Sequence, residues 1–474
     1  MSEIPFRGAL PATLTTPGAV ASWCEAHRAY GRLPLKRDLA AATAWAREGF
    51  AVSERLARWI ETTAPELAPH LESAAIFLPG GRAPAAGSAL KNPGLARTLD
   101  ALAAEGHAGF YAGEVAREMA RFSQSHGGFF SAADLGAQGA RWGEPIRGTY
   151  RGVTIVETPA PTQGFTVLEM LNLLEPYELH RMKPGSADLV HLMVQAKQIA
   201  YHDRDRHLGD PHFAHVPMER LIAKAYADER RSLMGPLGAA RRPPEGERAP
   251  SERPGGAPDP ARALPWDLVP PYHGPCDDTV FIAAVDAQGN AAALINSLYG
   301  VFGSCMTAGA TGVVLQNRAA YFSLDPAHPN CVAPGKTPLH TLIASLAFKR
   351  GKENEDGDTL WAVLGCMGAD GQPQIHAQTY VAMIDHGLDI QQAVQAPRWL
   401  SGRFALGEAR DTLHIEARFA GQTITELERR GHVIDRWGEW NELAGHAHGI
   451  TIDARTGVRC GGSDPRSDGA AIGY

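Results

Sequence analysis

Two hydroxyls in this chain are spaced to meet across a strand pair: Thr279 and Ser297. Thr279-Val-Phe-Ile-Ala-Ala-Val285 reads as an apolar strand with both faces covered. Asp286-Ala-Gln-Gly-Asn290 reads as a turn, and Ala291 to Tyr299 as the returning strand. With Ala287-Gln288-Gly289 as a three-residue loop and Gly289 in the left-handed position, Asp286 faces Asn290. Counting outward from that pair sets Thr279 opposite Ser297, with Cβ atoms about 4.5–5.5 Å apart. A bulge would shift the register by one and turn one hydroxyl to the other face. Taken alone, a Thr–Ser pair is an ordinary sheet contact. Its context is not ordinary. Arg241 to Pro275 holds ten prolines among glycines, arginines and acids, and such a stretch builds no packed core. It reads either as an inter-domain linker or as a mobile segment that delivers a hydroxyl to its own preceding carbonyl. Attack there breaks the chain. The α-amine released, with an ordinary pKa near 7.7–8.0, can then act as general base without a histidine.

The elements that must position such a pair divide along the chain. The first 235 or so residues read as helix-rich. Leu39 to Ile60 and Leu189 to Tyr201 carry helical apolar spacing. Asn92-Pro93 supplies a cap and a first-turn proline for another helix. Val153 to Glu157 is a short β-branched strand. Past Pro275 the chain becomes strand-rich, with further strands expected at Leu342–Phe348, Leu360–Gly365, Leu413–Glu416 and Gly449–Asp453. Helices are expected at Thr379–Asp385 and Thr423–Arg430.

Composition narrows the classes. The chain has 474 residues, 44% hydrophobic and 20% charged, which suits a globular protein with a large core. A net charge of -7 argues against a nucleic-acid partner. No apolar run is long enough for a membrane span, and Met1 to Pro5 has no signal-peptide character, so the expected location is cytoplasmic. The six cysteines are scattered without a C-x-x-C pair and read as reduced thiols.

At these residues the sequence resembles the γ-glutamyltransferase family, a branch of the N-terminal-nucleophile hydrolases. Leu78-Pro-Gly-Gly-Arg82, Leu95-Ala-Arg-Thr-Leu99, Gly148-x-Tyr-Arg-Gly152 and Asp203-Arg-Asp-Arg-x-x-Gly-Asp-Pro211 are similar to its large subunit. Asp278-Thr279, Leu315-Gln-Asn-Arg318, Phe322-Ser-Leu-Asp-Pro326, Ala333-Pro-Gly-Lys336, Ala396-Pro-Arg398 and Ser463-Asp-Pro-Arg466 are similar to its small subunit. The order and spacing of these motifs, over nearly the whole chain, carry the resemblance.

The resemblance implies an α+β fold, the four-layer αββα sandwich of that hydrolase class, here lacking roughly the first 80 residues of the family. It implies cleavage between Asp278 and Thr279 into a large-subunit part, 1–278, and a small-subunit part, 279–474, which stay together as one folded heterodimer. The large part would end in the mobile proline-rich segment 235–278. Thr279 matches the nucleophile and Ser297 the hydroxyl that positions it. Gly368 and Ala369 match the oxyanion-hole glycine pair, an alanine there donating its N–H if its φ is negative. His340 and Thr341 match two pocket serines. Tyr321 stands where the family has an acid for the substrate's α-amino group, and Tyr299 where it has a substrate-binding asparagine. Without that acid, a free γ-glutamyl group would leave a buried ammonium unpaired. These departures, with Arg318 or His340 as a candidate carboxylate ligand, resemble the oxamate amidohydrolase branch, which takes a small amide. The implied chemistry needs no metal or organic cofactor. The alternative reading is a non-catalytic relative that has lost part of its core.

Two other clusters read as structural. His202-Asp203-x-Asp205-x-His207 with Asp210 is expected to form ion pairs and not a metal site. His446 and His448 alternate on a short strand without a nearby third ligand.

Overall fold

Strands from both halves of the sequence build the main sheet. The computed structural model describes residues 4–7, 13–235, 277–350, 357–402 and 412–474. The proline-rich segment read as mobile lies outside the described residues apart from its two ends. The chain forms two compact units, one of Glu3–Gly143 with Leu298–Ala320, the other of Glu144–Ser297 with Tyr321–Tyr474. Each unit therefore takes residues from both sides of Asp278.

The first unit is helical, with one short antiparallel pair, β1 (Phe50–Ala51) and β2 (Ala89–Leu90). The helix expected over Leu39 to Ile60 is two helices, because Gly49 ends Ala40–Glu48 at φ +105°. The second, Glu54–Leu67, restarts behind Ser53, whose side chain accepts from the Leu56 N–H. Asn92 caps helix Pro93–Glu105 as expected, and its Nδ2 also donates to the Gly312 carbonyl at 2.8 Å. Leu102, Phe110, Met119, Leu135 and Leu315 pack in the core of this unit.

In the second unit, β3 (Ile146–Tyr150), β4 (Val153–Glu157), β7 (Ala344–Arg350), β8 (Asp358–Met367), β12 (His446–Ile452) and β13 (Arg459–Ser463) form a six-stranded sheet, ordered β13-β12-β8-β7-β4-β3. Every neighbouring pair is antiparallel. β9 (Trp399–Ser401), β10 (Leu413–Glu416) and β11 (Ile434–Trp437) form a smaller sheet, and β5 (Asp277–Val285) forms a hairpin with β6 (Ala291–Gly300), whose last three residues, from Leu298, are counted with the first unit.

The hairpin stacks on the six-stranded sheet over β8 and β12. Gly365 on β8 faces it, because a Cβ there would lie 2.3 Å from the Phe281 ring. Its neighbour Cys366 faces the other side, where its Sγ reaches the Gln372 carbonyl at the start of helix Gln372–Ile384. Helix, sheet and hairpin are thus stacked in that order. One expectation for β5 is corrected. Its faces alternate, Phe281 being buried while Val280 and Ile282 are 50% and 52% exposed. An unbroken apolar run does not reveal which face lacks a covering layer.

Among the described residues no helix is long and apolar enough to cross a membrane.

Candidate active site

Asp286 folds the β5–β6 turn. Its N–H donates to the Asn290 carbonyl at 3.0 Å, and its Oδ1 accepts from the Gln288 and Asn290 N–H groups, each at 2.9 Å. Gly289 sits at φ +85°, in the left-handed region that favours glycine. From this turn the strands run back to the hydroxyl pair. Thr279 Oγ1 donates to Ser297 Oγ at 2.8 Å. Thr279 is half-buried and shares its strand face with Phe281, the face towards β8.

β8 ends at Met367 and the chain turns through Gly368, at φ 153° and ψ 21°, and Ala369, at φ +35°. The condition of a negative φ at Ala369 is therefore not met. A left-handed backbone costs a non-glycine residue roughly 1–2 kcal/mol, so the surroundings must hold it. Both residues are buried, and neither N–H donates to a described acceptor. Two buried donors without an acceptor among the described residues suit an incoming oxyanion.

What holds the turn was not read from the sequence. Gln163 is fully buried, and its Nε2 donates to the Ala369 carbonyl at 2.9 Å and the Thr341 carbonyl at 3.0 Å. Its Oε1 accepts from Arg204 at 2.8 Å. Arg204 also reaches Asp205 at 2.8 Å and Asp370 Oδ1 at 2.6 Å. Burial opposes the charge on Arg204, but Asp205, Tyr321 and Asp370 outweigh it and hold the guanidinium protonated. Burial pushes Asp205 up to about 6, with Arg204 opposing the rise. Tyr321 donates to Asp370 Oδ1 at 2.6 Å, so it is tied to a carboxylate on the oxyanion turn. Tyr201, raised by burial, donates to the Asp370 carbonyl. His340 is anchored by its N–H to the Pro161 carbonyl at 3.0 Å, and Thr341 is buried beside it.

Beneath the turn, two motifs of the sequence meet. Arg398 donates to the Gly445 carbonyl and to Asp464 Oδ2, both at 2.8 Å. Arg466, fully buried, reaches both oxygens of Glu416 at 2.6 Å and Asp464 Oδ1 at 3.0 Å. Burial alone would raise Asp464, but the two arginines hold it at about 2. This cluster seats Gly445 against Gly368, whose Cα would lie 3.4 Å from a Cβ at Gly445.

Of the expected site residues, Thr279, Ser297, Tyr321, His340, Thr341, Gly368 and Ala369 fall in the second unit, while Tyr299 and Arg318 fall in the first. There the Arg318 guanidinium lies 3.8 Å from the centroid of the Tyr299 ring, and Phe6 meets the same ring edge-on at 5.3 Å. Tyr299 has φ +78°, a strained value for a bulky residue. The cluster expected to form ion pairs does so, Asp203 receiving Arg230 at 3.1 Å and Tyr226 at 2.9 Å.

Comparison with known proteins returns one consistent picture. The sequence model described as Gamma-glutamyltranspeptidase matches residues 2–474. The chain is 37% identical over 472 residues to the Glutathione hydrolase-like YwrD proenzyme of Bacillus subtilis, covering 100% of this chain and 82% of that protein. It is 35% identical over 480 residues to the Oxamate amidohydrolase proenzyme of Klebsiella pneumoniae, covering 100% and 83%. Among solved structures, the cephalosporin acylase from Bacillus halodurans superposes with a TM-score of 0.83 at 32% identity, covering 100% of this chain and 81% of that one.

Proposed function

The chain belongs to the gamma-glutamyltranspeptidase family, a family of hydrolases made as proenzymes, and on that premise we propose that Thr279 is its nucleophile. The observation that carries this reading is the 2.8 Å contact from Thr279 Oγ1 to Ser297 Oγ at the head of β5. Thr279 Oγ attacks the Asp278 carbonyl, the peptide becomes an ester, and water releases fragments of 1–278 and 279–474, which remain paired. The freed Thr279 amine then takes the Oγ proton as the hydroxyl attacks a substrate amide, and passes it to the leaving nitrogen. Ser297 orients the nucleophile. The Gly368 and Ala369 N–H groups receive the oxyanion, each worth about 2.7–4 kcal/mol. The acyl group on Thr279 then leaves to water or to an acceptor amine. The fold that accompanies this chemistry is the four-layer sandwich.

The substrate is a small amide whose acyl group carries no free α-ammonium. Tyr321 supports this choice. It replaces the family's amine-binding acid and spends its hydroxyl on Asp370. His340, Thr341, Tyr299 and Arg318 are the remaining candidates for substrate contact.

The test is the intact mass of purified protein beside a Thr279→Ala control. Two fragments with threonine at the new N-terminus, and one uncut chain in the control, are expected. A single uncut species in both favours the non-catalytic reading. Turnover of oxamate against γ-glutamyl-p-nitroanilide then separates the substrate classes, and ready turnover of the second would overturn the small-amide assignment.

A further inference from the structure

The oxyanion turn and the loop carrying His340 and Thr341 are separate stretches of chain, yet a single side chain joins them. Gln163 stands immediately before helix Gly164–Leu174, wholly inside the second unit. Its amide faces three partners: the Ala369 carbonyl at 2.9 Å, the Thr341 carbonyl at 3.0 Å and Arg204 Nη1 at 2.8 Å. Only one orientation of the amide satisfies all three, since two carbonyls need a donor and a guanidinium needs an acceptor. Arg204 is itself fixed by Asp205 at 2.8 Å and Asp370 at 2.6 Å.

We propose that Gln163 is a positioning residue for the reaction described above: a buried amide, oriented by Arg204, that holds the Ala369 peptide in its left-handed conformation and couples it to the Thr341 side of the substrate pocket. The proposal rests on the oxyanion role of Gly368 and Ala369. The physical need is clear from the backbone. Alanine at φ +35° relaxes towards negative φ unless its flanking peptide is clamped. Relaxation there would rotate the N–H of Ala369 away from the position it now holds. The turn has backbone bonds of its own, the Gln372 N–H donating to the Ala369 carbonyl and the Gly371 N–H to the Gly368 carbonyl at 2.6 Å; Gln163 adds the side-chain bond that ties the same Ala369 carbonyl to Thr341 and Arg204. Gln163 touches no reacting atom in this scheme and acts through the turn.

Gln163→Glu tests this with little change of volume. The carboxylate loses both donor bonds but keeps its partner in Arg204. Its protonated form regains one donor. Relative to the unchanged chain, kcat for the small amide should fall about 10²-fold at pH 8, with KM moving less than about threefold, and the loss should shrink as pH drops. Arg204→Lys, which keeps the charge but not the fork that orients the amide, should give a smaller loss without that pH dependence. Hydrogen exchange of the peptide spanning Gly368 and Ala369 supplies a readout independent of catalysis. It should quicken about tenfold or more in Gln163→Glu, while strand β4 is unaffected. Unchanged exchange in that peptide would overturn the clamp, whatever the activity. Quickened exchange in a protein that turns over no amide would keep the clamp and defeat the amidase reading instead. A kcat loss that is equal at every pH, with exchange faster throughout the second unit, would reduce Gln163 to a general structural residue and also overturn the proposal.

Discussion

Adding one methyl group at Gly365 should disable the nucleophile from the opposite sheet. A Cβ at Gly365 would lie 2.3 Å from two Phe281 ring carbons and 2.7 Å from a third. Carbon atoms pack at about 3.5–4.0 Å, so the ring must retreat by roughly 1 Å or more. Phe281 is buried and cannot swing into solvent; β5 has to move with it. Overpacking of this kind costs about 1–3 kcal/mol. Thr279 lies two residues away on the same strand face, and its 2.8 Å contact to Ser297 moves with the strand. A displacement near 1 Å at a reacting group costs about 10² in rate. Gly365→Ala should therefore slow the appearance of the two fragments about a hundredfold, followed by gel densitometry over time, and lower the melting temperature of the uncut chain. Pairing it with Phe281→Leu, which removes ring atoms from the clash, should recover much of the rate. If Gly365→Ala alone were cut at the normal rate with an unchanged melting temperature, the packing of β5 on β8 would not be what seats Thr279.

Two further outcomes follow from the structure. Burial, reinforced by His191 and Arg430, lowers His432 from 6.5 to about 4. The folded state thus binds fewer protons than the unfolded chain between those values, so this contribution is full above pH 6.5 and is lost as pH falls through 4, about 3 kcal/mol in all. In the uncut Thr279→Ala protein, melting curves of a His432→Gln variant should show a weaker dependence on pH across that window. Ala369→Gly should relieve about 1 kcal/mol of left-handed strain, partly offset by the greater chain entropy of glycine when unfolded; the melting temperature should hold or rise and kcat should stay within a few-fold of its starting value.

Local rules carried the hairpin. The turn residues Asp286 to Asn290 and the period of two are enough to set Thr279 against Ser297, because strand register propagates from the loop. The same rules gave β4 and β10 their bounds and Asn92 its cap. They failed where geometry is decided by distant chain. Gly49 looks like a tolerable interruption until its φ of +105° ends the helix. Ala369 looks compatible with any backbone until the turn after β8 forces it left-handed. Gln163 lies 41 residues from Arg204 and 206 from Ala369, and no periodicity or spacing relates buried polar groups over such separations. Tyr321 was legible as a departure from the family, but its partner Asp370 was not.

The seam between β4 and β7 has a consequence for how this molecule could be handled. β4 precedes Asp278 and β7 follows Thr279, and the two are zipped from Val153 against Lys349 to Glu157 against Ser345. A nick at the head of β5 would leave that zipper closed, as a cut thread leaves a woven cloth whole. Dilution should not part the pieces; denaturant should. Expressed as separate polypeptides, 1–278 and 279–474 would then behave as a split protein whose reassembly can be scored by complementation, the second piece presenting Thr279 as its first residue once its initiator methionine is removed, without any act of self-cutting.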